Sequence, residues 1–482
     1  MDKASLGWLA VAAYATVTTG VAVRGLRRSH SLASYAVGNR DLPAAVVGLS
    51  LAAQLTSVAT FVINPGLVHA FGLSALLGYG VCAALGITLG LVFFSRRFRA
   101  QGARVQALTI PQWIGARYES PGLRALFALL SLGLVTFAVL IVVALALVLS
   151  SLLSVPVKAV AVVLVVFAFG GVMLGGATAH AWTNAVQASI MLLVALILIG
   201  AGAPLLFQGE GLLARLRAID PLLALPVNPS SLYFRNAFET FLCNFVVGLA
   251  IVCQPHILSK ALYLREDGQV RRYLATAIGC GLVFTSVLLV GLWARISLSA
   301  PVRIDQVVPT WIAQSFPPGL QVVIAIGLLC AGLSTLEGIL LALSSIFAVD
   351  VYPMFRSLAE ATGAGALAFG RTGLVAIAIA VSLLASWQLD HPTGGTVAIF
   401  AQYGVYLLFT ASFLPIASGM FLPGVGRRTV TAAVWAAVAG YLLTAFAKPT
   451  PLANNPAVLA TIGILAGWAV VLSSRLVART RA

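Results

Sequence analysis

Two short polar runs interrupt an otherwise apolar chain. The first is Leu51-Ala-Ala-Gln-Leu-Thr-Ser-Val-Ala-Thr-Phe61, followed by Asn64-Pro65-Gly66. At helical spacing Ala53, Thr56, Ser57, Thr60 and Asn64 fall on one face. The second is Leu329-Cys-Ala-Gly-Leu-Ser-Thr-Leu-Glu-Gly-Ile-Leu340, where the adjacent hydroxyls Ser334 and Thr335 lie beside small residues that permit close helix approach. A hard monovalent cation takes about five or six oxygens, and neutral donors supply them at a lower desolvation cost than a lone carboxylate. A locally unwound helix frees such carbonyl oxygens, and irregular backbone at membrane depth is tolerated only where it lines a cavity or binds an ion. Packing is the competing explanation, with each hydroxyl bonding its own preceding turn or a neighbouring helix.

Two carboxylates stand inside apolar runs, Glu239 and Glu337. A charge at mid-membrane costs about 2.5–3.5 kcal/mol on insertion scales, so each should face the bundle interior, be protonated or find a partner. Glu337 lies one turn beyond Ser334 on the same side, which leaves three roles open: tuning a cation site, binding a proton, or a hydrogen bond to a cytoplasmic gate. Glu239 is expected to meet water or Arg235, and His256 to cap or anchor a loop. Enzyme constellations are missing: there is no His-Glu-x-x-His and no paired aspartates. A Gly-rich phosphate loop with a following Lys-Ser/Thr is missing too, which argues against an ATP-driven machine.

The elements that must carry these residues are membrane spans. Of 482 residues, 60% are hydrophobic and 9% charged, whereas about a quarter of an ordinary globular chain is charged. Many runs reach the roughly 20 residues that cross a bilayer as helix. This excludes a soluble enzyme and a nucleic-acid binder. The net charge of +16 sits in short loops, where it sets orientation and meets anionic lipid headgroups. Runs bounded by charges, Pro or Gly predict thirteen spans, beginning near residues 5, 44, 73, 125, 157, 183, 235, 273, 319, 372, 395, 429 and 456. Odd parity puts the termini on opposite sides. The side richer in Lys and Arg holds Arg24 to Arg40, Arg96 to Arg124, Lys260 to Arg272, Arg356, Arg371, Arg427, Arg428 and Arg475 to Arg481. That side is cytoplasmic by the positive-inside rule, so the N-terminus is expected outside and the C-terminus inside. The first run carries no small-residue cleavage site and is expected to be a retained span. The five cysteines, in apolar runs without metal spacing, are expected to be packing residues.

Two external segments, Gln208 to Asn236 and Ala294 to Pro318, are too short for a separate domain. Within the second, Asp305 to Phe316 predicts an interfacial helix carrying Trp311, or a plain loop with one anchoring Trp. Omitting the first span and the last two leaves ten, which Gln208 to Asn236 splits into fives of opposite orientation, the arithmetic of an inverted repeat.

At these residues the chain resembles the sodium/solute symporter family, whose members include carriers for proline, pantothenate, monocarboxylates and sugars. The resemblance covers nearly the whole chain. Tyr35-Ala-Val-Gly-Asn-Arg-Asp-Leu-Pro43 and Ser57 to Gly66 are similar to the loop before the first core helix and to that helix's outer half. Leu108-Thr-Ile-Pro-Gln-Trp-Ile-Gly-Ala-Arg117, Gly175-Gly176 with Ala181-Trp-Thr-Asn-Ala-Val-Gln187, Gln254-Pro255-His256, and Ala331 to Thr335 with Asp350 complete six motifs in order.

The resemblance implies an all-α polytopic membrane protein of about thirteen transmembrane helices. Its core would be an inverted five-helix repeat of the amino acid/cation symporter type, with broken first helices. It implies one membrane transport domain over 1–482, with a peripheral helix at 5–26, repeats at 44–207 and 235–420, and two peripheral helices within 429–475. Function would be sodium-coupled import of a small organic solute by alternating access, in a bacterial inner membrane. The sodium ligands carried over are the carbonyls of Ala53, Thr56 and Ala331 and the hydroxyls of Ser334 and Thr335. Ser57, Thr60, Tyr79, Asn244, Gln402 and Tyr403 are the substrate-pocket candidates, each with an interhelical hydrogen bond as its alternative, and Glu337 is the coupling candidate. The family's sugar carriers have a Gln where this chain has Thr60 and an acidic residue near Tyr79. Its proline carriers have an Asp at the place of Leu55 and aromatic contacts where Val247 and Ile251 stand. The Thr56 to Phe61 phrase is closer to the pantothenate and monocarboxylate branches, so a small carboxylate is preferred. With no unpaired Lys or Arg expected in the core spans, such an anion would rest on dipoles and on sodium. Proton coupling through Glu337 is one alternative. A transporter-like membrane sensor is the other, although the few residues after the last span leave no room for a signalling domain.

Overall fold

The computed structural model describes residues 2–26, 31–206, 211–298, 302–355, 364–391 and 397–480. Arg27, Arg28, Arg356 and Arg481 of the basic loops, and Gln208 at the start of the longest predicted loop, lie outside them. Every regular element among the described residues is helical, as lipid demands of a chain whose backbone groups must bond within their own segment. Among the described residues ten helices are long and apolar enough to span a membrane, or up to twelve if each of two bent pairs counts as one span.

The predicted spans near 157 and 183 are joined without a loop. Val157–Gly202 runs on as one element, broken at Gly176 (φ 61°, ψ −171°). That backbone state lies where a Cβ would clash, so the break needs glycine. Several helices start before the predicted residue. The span predicted from 125 begins at Pro121, where the Ser120 side chain accepts from the Leu123 N–H, and that predicted from 372 begins at Ala364. A helix continues past a bilayer boundary until a cap ends it, so charges mark the boundary of the lipid rather than of the helix.

Burial orders the spans. Pro318–Met354 is the most enclosed, with 89% of its apolar window buried, whereas Lys3–Arg24 has 17% and is peripheral. Outward faces stay apolar, with Val163, Val166, Leu196 and Leu443 each 60% or more exposed. Such a surface is stable only against lipid tails.

The segment Asp305 to Phe316 forms a short turn, Ile304–Gln306, and a helix, Val307–Ser315. Trp311 is not an interfacial anchor: it is 3% exposed and edge-on to Phe316 at 5.4 Å. The turn and the helix pack on Asn64–Phe71, and the turn comes close because Gly66 lets its backbone in. A Cβ at Gly66 would overlap the Ile304 carbonyl. Gly66→Ala should therefore lower stability by about 1–3 kcal/mol, read as a fall in the thermal unfolding midpoint in detergent. An unchanged midpoint would mean the segment moves aside freely.

Candidate transport site

Two spans are broken near their middles, and the candidate site gathers at the breaks. The first runs as Ala44–Leu55 and then Ala59–Phe71, bent by 54°. Thr56 leaves the helix (φ −109°, ψ 87°), and Ser57 restarts it, its Oγ accepting from the Ala59 N–H at 3.1 Å. The break is at Thr56 and Ser57, not at the helix-weak Asn64-Pro65-Gly66. There, a wide turn over Ala59–Ile63 precedes the helix Asn64–Phe71, which holds Pro65 in its first turn, where a missing N–H costs little. The single polar face predicted for this span is thus cut in two: Ala53 stays with the first half, while Ser57, Thr60 and Asn64 turn toward a cavity.

The second broken span is Phe238–Ile251 and Pro255–Tyr263, bent by 56°. Its break falls at Val252 to Gln254, so Gln254-Pro255-His256 restarts the helix instead of ending a span.

The helix Pro318–Ile346 passes the first break unbroken and closes on it. Ser334 Oγ donates to the carbonyls of Ala53 at 3.0 Å and Ala331 at 3.1 Å. Thr335 Oγ1 donates to the carbonyls of Gln54 at 3.1 Å and Ala331 at 3.3 Å. Helix-terminal carbonyls lack partners within their own helix, and here two of them are met by hydroxyls from another span. Ala53, Ala331, Ser334 and Thr335 are each 0% exposed, and Thr56 stands at the break between this cluster and the cavity. The bonds to Ala331 are the local turn bonds of the packing alternative; those to Ala53 and Gln54 cross between spans. Five neutral, buried oxygens converge, a donor set that fits a hard monovalent cation once the hydroxyl protons rotate outward. Gln54 was not among the residues the sequence singled out, because a backbone donor has no signature in residue type.

A second layer supports the cluster. Asn184 Nδ2 lies 3.5 Å from the Ser334 carbonyl and 3.4 Å from that of Ser50. His180 Nε2 is 3.0 Å from Gln54 Nε2 and 3.3 Å from Asn184 Nδ2. A Cβ at Gly338 would overlap the Gln54 amide, so this glycine makes the contact possible. Glu337 Oε2 is 3.6 Å from His180 Nδ1; it faces this histidine and a cavity beside Thr18 and Gly176, and no hydrogen bond to a gate forms among the described residues. Glu239 is 0% exposed and pairs with Arg235 at 2.6 Å and Asn455 at 3.0 Å, so its partner is Arg235 and not water. His256 is no cap: it is buried, neither ring nitrogen has a hydrogen-bond partner among the described residues, and its ring lies 6.5 Å from Phe137. Lys260, assigned from sequence to a loop, is a core residue at 1% exposure, its Nζ 2.7 Å from Ser50 Oγ. The half-span after Pro255 continues two turns past the motif and carries the lysine inward.

The cavity, about 220 Å³, lies between the second half of the first broken span and the first half of the second. Ser57, Thr60, Tyr79, Asn244 and Gln402 line it; Tyr403 does not. The Tyr403 carbonyl accepts from the Tyr441 hydroxyl at 3.0 Å, and Tyr406, one turn past Gln402, takes the lining position. Helical spacing from Gln402 would have found it. Asn244 Nδ2 is committed to the carbonyls of Glu239 at 2.9 Å and Thr240 at 3.1 Å. Thr88, Phe137 and Thr285 also line the wall, and no charged side chain does among the described lining residues.

Farther along Pro318–Ile346 the remaining motifs meet. Asp350 accepts from Thr109 Oγ1 at 2.6 Å and from Arg124 Nε at 2.7 Å. Arg124 Nη2 also donates to the Val349 carbonyl at 2.6 Å, and the Tyr35 hydroxyl donates to Ser344 Oγ at 3.1 Å. Motifs far apart in the chain therefore lock one helix end.

With this geometry in view, the chain matches the sodium:solute symporter family over residues 35–440. It belongs to that family. This symporter is 26% identical to the sodium/pantothenate symporter of Haemophilus influenzae over 67% of its own chain and 66% of the relative, so it spans just under two thirds of that protein. It is 26% identical to the high-affinity proline transporter PutP of Bacillus subtilis over 87% of its own chain and 86% of the relative. The fold is similar to a Na+-coupled sialic acid symporter (TM-score 0.80, 15% identity, 96% of both chains). Mhp1, of the nucleobase-cation-symport-1 family, is also similar (TM-score 0.57, 17% identity, 94% of this chain and 96% of that one). The symporter is thus a multi-pass membrane transporter and not an enzyme, with sodium as its coupling ion.

Proposed function

We propose that this symporter imports a small organic solute, a carboxylate by preference, coupled to sodium bound by the carbonyls of Ala53, Thr56 and Ala331 and the hydroxyls of Ser334 and Thr335. The observation that carries it is the pair of hydroxyl bonds from Ser334 and Thr335 onto the carbonyl end of Ala44–Leu55. Counting each bent pair as one span and Val157–Gly202 as two gives the thirteen spans of an inverted-repeat carrier, with repeats at 44–207 and 235–420 in one domain. The N-terminus is then outside, in a bacterial inner membrane, and Ala44–Leu55 and Pro255–Tyr263 are the inner halves of the broken spans. Sodium orders the first break, and solute meets a preformed pocket at Ser57, Thr60, Tyr79, Asn244 and Gln402. The membrane potential adds about 2.3 kcal/mol per charge per 100 mV to inward movement.

The cavity wall, without a charged side chain, supports a solute whose one negative charge is met by hydroxyls, dipoles and sodium. The relatives' names point to pantothenate and proline; both carry a carboxylate, the first as a net anion and the second beside a ring ammonium. A thermal-shift screen against carboxylates, amino acids and sugars, each with and without sodium, tests ligand class and ion together. Sodium-dependent stabilisation by carboxylates alone is expected; stabilisation by sugars, or by carboxylates equally in choline, would overturn it. Proton coupling through Glu337 keeps one observation in its favour, the His180 imidazole at 3.6 Å. Uptake driven by a pH gradient in sodium-free buffer would select it.

A further inference from the structure

The inner half of the second broken span carries a charge for which the sodium cradle has no use. Lys260 is 1% exposed and Ser50 0%. Its ammonium donates to Ser50 Oγ at 2.7 Å and lies 4.9 Å above the Tyr263 ring. It forms no ion pair among the described residues. An ammonium held by one hydroxyl and one ring face, with the nearest carboxylate, Glu337, beyond ion-pair distance, is costly to keep from water, so the inner halves of both broken spans must be closed to hold it there. Ser50 precedes Ala53 by one helical turn, about 4.5 Å of rise. Its carbonyl also receives Asn184 Nδ2, the group that reaches the Ser334 carbonyl. The lysine is therefore wired, through one serine, to both walls of the cradle.

We propose that Lys260 is a positioning residue of sodium-coupled transport. It is a fixed internal cation that ties the two inner halves together through Ser50 and, by repulsion, weakens sodium in the neighbouring cradle. The inference rests on the sodium site proposed above. At an effective dielectric of about 20, unit charges on the order of 10 Å apart repel enough to change an affinity by roughly tenfold. When the inner halves part, the ammonium gains water and sodium leaves a site that was never at its tightest. With sodium bound, the repulsion between the two cations offsets the Ser50 tie that otherwise holds the inner gate closed, which favours release on that side.

Binding of radiolabelled sodium to the purified full-length chain in detergent tests the charge. Hydrogen exchange of peptides covering 44–55 and 255–263 tests the tie. Lys260→Met should bind sodium about tenfold more tightly and exchange faster in both segments, while Lys260→Arg keeps the parent affinity. A lysine that only packs predicts the opposite sign, weaker sodium binding in Lys260→Met. Affinity that is unchanged or weaker overturns the proposal, and leaves the sodium site standing if Ser334→Ala with Thr335→Ala still loses binding. No saturable sodium binding in the parent overturns the sodium site and this inference with it. Should Lys260→Met not be recovered as monodisperse protein, Ser50→Ala keeps the ammonium and removes its acceptor. Faster exchange in both segments together is then expected, and unchanged exchange overturns the tie.

Discussion

Replacing Ser334 and Thr335 together by Ala should abolish sodium-stimulated uptake and weaken sodium binding about a hundredfold or more. The two hydroxyls meet the Ala53 and Gln54 carbonyls at 3.0 and 3.1 Å, and a hydrogen-bonding group facing a charge contributes about 1.5–3 kcal/mol. Two of them sum to about 3–6 kcal/mol, or two to four factors of ten. Membrane insertion and the gel-filtration profile should be unaffected, since alanine fits wherever serine does and lies closer to the helix optimum. Single substitutions should fall between the parent and the double variant. If the double variant keeps its sodium stimulation, the hydroxyls are interhelical packing groups and the ion sits elsewhere.

Arg124→Met should cost the largest stability loss of any substitution outside the cradle. Asp350 has a fully buried side chain, held by Arg124 at 2.7 Å and Thr109 at 2.6 Å. Removing one partner of a buried pair leaves an uncompensated charge and costs about 3–5 kcal/mol. Arg124 keeps 28% of its side chain exposed, which puts the expectation toward the lower end of that range, because water already screens part of the interaction. Asp350→Asn should cost less: the amide still accepts from Arg124 and removes the buried charge that would otherwise be stranded. Thermal unfolding in detergent, followed by intrinsic fluorescence, ranks the variants. Equal midpoints for the two would show that the pair carries no net charge coupling and that Thr109 alone fastens this helix end.

Both expectations use residues whose importance is visible in the chain but whose partners are not. The adjacent hydroxyls of Ser334 and Thr335 stand out in an apolar run, and so do Thr56 and Ser57. Nothing local says that Ser334 meets Ala53, a residue 281 positions away, or that Gln54 contributes its backbone. Pro65 is the stronger helix breaker by type, yet the chain breaks at Thr56, because a wide turn relieves the proline while long-range packing pulls two carbonyls toward Pro318–Ile346. Lys260 is assigned to the wrong side of a boundary for a related reason: charge counting treats each Lys as a loop marker, whereas a bent half-span can bury one. Tyr403 and Tyr406 are indistinguishable by residue type, and only the rotation of their helix against its neighbours puts Tyr406 in the cavity wall.

Span existence, the broken-helix character of the polar segment and the kind of donor atoms on offer all follow from the order of residues alone. They are set by transfer into lipid and by helical period, which act within one segment of chain. The place of each break, the pairing of hydroxyl with carbonyl and the burial of a lone ammonium arise from contacts between segments hundreds of residues apart. Those contacts are won or lost in the packing of the whole bundle, where a single glycine at 66 or 338 admits a neighbour that any side chain would exclude.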